Sequence, residues 1–266
     1  MPIDARPWQI LSLGLLLTYG MLVLGFDQAA TGIPAIFAAT LATQWACGRI
    51  AGLDRFDPLS PLITGLSLCL LLRTSELALL PLAGFLAIAS KFVIRFDGKH
   101  IFNPANFGIV AVMLATGEAW VSPSQWGSAT WAAFLFVSLA TLVLSRAKRA
   151  DIAIAFLGTF VALLLARALY LGDPLAIPLK QMQSGALLLF AFFMISDPKT
   201  TPDRRIMRIL YAAFVAALGF ALQFALWRPD GLIWALFFAS PLVPLLDRVK
   251  PIERAGRFHW LQPTVQ

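Results

Sequence analysis

The chain reads as a succession of apolar runs, each cut off by charge, proline or glycine. Bounded in this way, the pattern predicts ten membrane-spanning helices near residues 8–25, 28–47, 58–72, 76–94, 103–117, 128–145, 151–170, 181–196, 205–226 and 231–246. The third, fifth, eighth and tenth are short and carry Gly, Pro or Asn. Helices facing lipid seldom tolerate these residues, whereas helices buried among other helices do. The third and eighth each begin with a small-residue pair, Thr64-Gly65 and Ser184-Gly185, and the fifth and tenth are each interrupted by proline. Two halves, 8–117 and 128–246, would each hold five helices and so run in opposite senses, the inverted-repeat plan that puts a site near the midplane. The expected fold is therefore an all-α integral membrane protein, one domain over residues 1–266, with ten helices in two inverted five-helix repeats.

Composition supports the membrane assignment. Hydrophobic residues make up 59% and charged residues 13%, with mean hydropathy +0.78, which excludes an ordinary soluble enzyme. The net charge of +7 does not point to nucleic acid, because the cations sit in short loops and form no long basic face. Seventeen of the 21 Lys and Arg residues fall at one set of alternate loops and four at the other. That asymmetry predicts a bacterial inner-membrane protein with both termini in the cytoplasm. The segment EAWVSPSQWGS (118–128) has no cation and two Trp residues, as expected of an outer-face interfacial loop. The run after Met1–Pro7 is too long for a signal-peptide core and is expected to be the first span. Cys47 and Cys69 supply neither a disulfide framework nor a four-ligand cluster, and no metal site or catalytic triad is in view.

Four stretches interrupt the apolar background. In GKHIFNPANFG (98–108), Asn103 and Pro104 suit a helix cap and first turn, but Asn106, a second amide inside that turn, needs a partner or a ligand. In MQSGA (182–186), the small residues let helices touch, or let Ser184 and the Gly185 backbone approach a flat cofactor. In ISDPKTTPDRR (195–205), Pro198 ends a helix and Thr200 or Thr201 is placed to cap the next. Asp197, near the negative end of a helix, calls for a counter-charge from Lys199, Arg204 or Arg205, or for a ligand. WGSAT (126–130) reads by itself as an interfacial Trp with a serine cap. His100 and His259 are expected at the solvated cytoplasmic boundary.

Taken together, these residues carry a resemblance. Ser184–Ala186, Ser196–Thr200 and Val243–Asp247 resemble, in order, the Ser-Gly-Ala, Thr-Asp-Pro-Val-Thr and Val-Pro-Leu-Ile-Asp stretches of one family. That family contains the Rnf complex D subunit and the B subunit of the Na+-translocating NADH:quinone reductase. FNPANFGIV resembles its Phe-Asn-Pro-Ala segment, and LSPLITGLSLCLLL its third span. The resemblance implies a ten-span fold similar to urea and ammonium transporters. It also implies a membrane-embedded electron-transfer subunit, part of a redox complex that couples electron flow to ion movement, with other subunits as partners. The implied cofactor is FMN or riboflavin, with Asn103, Asn106, Ser184, Gly185 and Asp197 at flavin sites. Family members attach FMN to a Thr in a Ser/Gly-x-Ala-Thr context on the outer face; here Ser128 and Thr130 occupy that context. The match departs from the family at Trp131, where Pro is usual, and at Gln125-Trp126, where Asp-Gly is usual. Two rival readings use the same residues. In one, a solute or ion transporter without redox chemistry has Asn103, Asn106 and the Gly185 segment lining its path. In the other, a scaffold docks partners through its basic loops.

Overall fold

The computed structural model describes residues 6–26, 31–122 and 150–248. Helices occupy nine of the ten predicted segments, and the sixth, near 128–145, lies outside the described residues. The first five are α1 (Arg6–Leu22), α2 (Gly32–Ile50), α3 (Leu59–Leu71), α4 (Leu79–Val93) and α5 (Pro104–Thr116). These are followed by α6 (Ala150–Leu171), α7 (Ala176–Met182) and α8 (Gly185–Leu189), the last running into a π-helical turn at Phe190–Met194. α9 (Arg205–Phe224), α10 (Gly231–Ala239) and α11 (Val243–Arg248) complete the described helices, with a 3-10 turn at Ser240–Leu242 placed by Pro241. Three helical segments are long and apolar enough to cross a membrane: Ala150–Leu171, Arg205–Phe224 and Gly231–Arg248. A fourth is the pair α7 and Gly185–Met194, bent by 50°. α3, α4 and α5 are shorter apolar helices.

Close packing in the bundle follows from small residues. α4 packs between α2 and α5, while α9 packs between α6 and α10. A Cβ on Gly108 of α5 would stand 2.5 Å from the Ala83 carbonyl oxygen of α4, so glycine at that position sets the separation of those helices. α5 and α10 are also in contact, and there Asn106 Nδ2 donates to the Ile233 carbonyl at 2.8 Å. The fully buried core includes Leu13, Ile36, Leu68, Ile109, Phe156, Phe190 and Tyr211.

Two short antiparallel pairs were not expected from the apolar pattern. β1 (Leu72–Thr74) pairs with β4 (Ala119–Val121), joining the ends of α3 and α5. β2 (Arg95–Phe96) and β3 (Lys99–His100) form a hairpin closed by Asp97 and Gly98, both at positive φ, 47° and 80°. That is the geometry an Asp-Gly two-residue turn favours.

Candidate functional site

The hairpin turn fixes the course of the chain into α5. His100 lands immediately ahead of Asn103, whose side chain caps α5 by accepting from the Asn106 backbone N–H at 3.1 Å. Asn103 also donates to the Met194 carbonyl at 3.4 Å, which brings the start of α5 against the end of the π-helical turn. Beyond that turn lies Asp197, whose Oδ1 accepts from the Lys199 backbone N–H at 3.0 Å.

Lys199 supplies counter-charge to Asp197, as expected, together with a backbone hydrogen bond. Arg204 and Arg205 make no ion pair with it among the described residues, and a further partner, not offered by the sequence, is His100. His100 Nε2 stands 3.8 Å from Asp197 Oδ2. His100 is buried rather than solvated, because the Asp-Gly turn folds it inward. Burial pushes its imidazole below the ordinary value, with Asp197 pulling the other way. For Asp197, burial works to raise the pKa, but the His100 imidazole and the Lys199 N–H prevail and hold the carboxyl below the usual range. Neither Thr200 nor Thr201 caps the next helix. Both are fully buried, and the residue preceding α9 is Arg204, with no side-chain cap. Lys99 closes the junction from outside, donating to Asp203 Oδ1 at 2.6 Å and to Asp247 Oδ2 at 3.1 Å.

Asn106 meets the need its position predicts only in part. Its amide nitrogen is paired, whereas its buried Oδ1 accepts no hydrogen bond among the described residues. His100 Nε2 and Thr201 Oγ1 are likewise buried without a hydrogen bond among the described residues. The sequence reading placed His100 at a solvated boundary and Thr201 at a helix cap and so missed their burial here; for His100 the Asp-Gly turn before the Asn-Pro segment was the available signal.

Ser184 and Gly185 stand apart from this junction. Residues 185–194 separate them from it by about 15 Å of helix. Ser184 caps α8, its Oγ accepting from the Leu187 N–H at 3.5 Å, and it lines a cavity of about 510 Å3. Phe160, Phe190 and Phe224 give that cavity aromatic walls, and Lys180, Gln181, Gln223 and Asp230 line it with polar groups. Ile233 links the two places: its side of α10 lines the cavity, while its carbonyl receives the Asn106 amide. Thr130 and Ser128 lie outside the described residues.

The model of the NQR2, RnfD, RnfE family matches residues 119–255, slightly more than half the chain. The chain belongs to the NQR2, RnfD, RnfE family. The matched stretch holds Ser184, Gly185 and Asp197, while Asn103 and Asn106 precede it. Among curated relatives, the D subunit of the ion-translocating oxidoreductase complex of Citrobacter koseri is 30% identical over 150 residues, 56% of this chain and 40% of the relative. Its counterpart from Escherichia coli O7:K1 is 31% identical over 150 residues, with the same coverage. That from Escherichia fergusonii is 30% identical over 151 residues, 57% of this chain and 40% of the relative. The match thus covers about two fifths of the length of these curated relatives.

Proposed function

We propose that this chain is a membrane-embedded electron-transfer subunit of a bacterial redox complex, that it holds a flavin, and that it works beside other subunits to couple electron flow to ion movement. The observation that carries the flavin reading is the aromatic-walled cavity behind Ser184. Its volume, about 510 Å3, falls within the range of roughly 300–1,000 Å3 usual for small-molecule sites. The fit is chemical as well as volumetric. Phe160, Phe190 and Phe224 offer ring faces to a planar heterocycle, Lys180 brings a cation suited to a phosphate, and Asn106, outside the lining, holds Ile233 in place through its carbonyl. When bound, a flavin would supply one- and two-electron transfer, and the protein supplies position and electrostatics. The Asp197–His100 pair fixes the loop at the far end of α8 and so steadies the helix on which Ser184 sits.

The ten-helix count in two inverted halves belongs to the same proposal. Helices in nine predicted segments and the contact of the matched members α5 and α10 support it. The skew of Lys and Arg supports a bacterial inner-membrane orientation with the basic loops and both termini cytoplasmic.

The test is the absorption spectrum of the detergent-purified chain together with flavin fluorescence of its band after denaturing electrophoresis. The expected result is a yellow protein whose flavin content falls in Phe190→Ala and in Asn106→Leu. Fluorescence that survives denaturation and disappears in Thr130→Ala would establish covalent FMN. A colourless protein, isolated from cells that carry the flavin-attaching machinery, would overturn the reading in favour of a solute or ion transporter.

A further inference from the structure

A second, smaller cavity of about 150 Å3 lies where α2 ends and the chain turns toward α3. Arg49 and Arg55 line it, with Trp45 and Phe56 beside them. Neither arginine meets a carboxylate among the described residues. The Arg49 guanidinium stands 5.9 Å from the centroid of the Trp45 ring, a cation–π arrangement that orients it. Asp57, also in the wall, has both carboxylate oxygens engaged, one by the Arg6 guanidinium and one by the Leu59 backbone N–H. Behind the wall, Lys91 Nζ donates to Gln44 Oε1 at 2.9 Å and to Ser60 Oγ at 2.8 Å, which fixes the base of the pocket. Against these, exposed Asp54 is the remaining acid of the pocket. The site is therefore cationic, and its two arginines are uncommitted.

The surroundings of the cations narrow the ligand. Trp45 is 56% exposed, Phe56 48% and Ile50 87%, so two guanidinium groups without acidic partners sit among exposed apolar side chains at the end of an apolar helix. A soluble anion has no use for those side chains, whereas a lipid uses both parts. The cavity is also below the size of a nucleotide-scale site but sufficient for one phosphodiester. We propose that the turn between α2 and α3 binds an anionic phospholipid, its headgroup phosphate held by Arg49 and Arg55 and its acyl chain lying along Trp45 and Ile50. Nothing in this inference depends on the flavin.

The experiment is native mass spectrometry of the full chain, delipidated in detergent and titrated with phosphatidylglycerol or with phosphatidylcholine. The wild type is expected to retain one phosphatidylglycerol in preference to phosphatidylcholine. Each arginine lost should weaken phosphatidylglycerol roughly fivefold, and Arg49→Ala with Arg55→Ala about 30-fold, without changing phosphatidylcholine. Arg228→Ala, in a distant loop, should change neither. Glycerophosphoglycerol, the headgroup without chains, should bind far more weakly than the whole lipid. Equal phosphatidylglycerol binding by wild type and the double variant would overturn the proposal. So would glycerophosphoglycerol binding as tightly as the lipid, which would mark a soluble-anion site. Should the double variant fail to fold, Arg55→Ala alone, at an exposed loop position, decides the matter by its fivefold change.

Discussion

Arg208→Leu strips the buried end of α6 of its counter-charge. In the native chain Arg208 Nε donates to both oxygens of Asp151, at 3.2 and 3.1 Å, and Nη2 donates to Oδ2 at 2.7 Å. Both side chains are about nine-tenths buried. Nη1 reaches the Asp203 carbonyl at 2.6 Å, so the same residue also holds the loop that carries Asp197. Arg205 is the nearest substitute, but its Nε is 3.8 Å from Asp151 Oδ2 and its side chain is 79% exposed, so solvent screens it. Removing one partner of a buried pair costs about 3–5 kcal/mol, because the remaining charge stays desolvated. Replacing both with apolar groups removes that penalty, so Asp151→Leu/Arg208→Leu should recover most of the loss. The assay is unfolding of the detergent-solubilised chain by titration with sodium dodecyl sulfate, followed by tryptophan fluorescence. A loss below about 1 kcal/mol for the single variant, the scale of an exposed pair, would refute the reasoning. A double variant as unstable as the single one would refute it too.

Two further outcomes rest on the same geometry. Because burial holds the His100 pKa below about 6.5, the unfolded chain takes up a proton there that the folded chain refuses. Stability should therefore fall as pH drops from about 6.5 toward the lowered value, and His100→Gln should flatten a melting profile measured across that window; an unchanged slope would count against a buried neutral imidazole. Gly108→Ala places a methyl group 2.5 Å from the Ala83 carbonyl oxygen. It should destabilise the chain by about 1–3 kcal/mol in the same unfolding assay by forcing α4 and α5 apart; a neutral result would show that the helices separate freely.

Much of the helical layout was legible in the sequence, since apolar runs bounded by charge and proline are local signals. Asn103 and Pro104 read correctly as a cap and first turn because capping chemistry is local as well. The features that escaped were long-range. The pairing of Leu72–Thr74 with Ala119–Val121 joins short segments far apart in the chain, which no periodicity reports. Lys199 was readable as a counter-charge for Asp197, but its second partner escaped for a similar reason: His100 lies 97 positions earlier, and Arg204 and Arg205 looked like better candidates. The junction around Asn103 and Asp197 was half readable, its residue types from the sequence and their pairing only from the fold. Ser184 was legible as a small residue suited to close approach, but the aromatic cavity behind it is assembled from α6, α9 and the segment that continues α8.

Lys99 finds its two carboxylates at positions 104 and 148 residues further along the chain. At a synthesis rate of roughly 5–20 residues per second, Asp247 leaves the ribosome about 7–30 s after Lys99 does. Asp203 becomes available to the ammonium group first, and until Asp247 follows the hairpin that carries Lys99 has no latch from α11. Among the described residues, the contact of the β2–β3 hairpin with α11 is therefore one of the last to lock. A chaperone or partner subunit acting during biogenesis would find it open well after α1–α5 have been made.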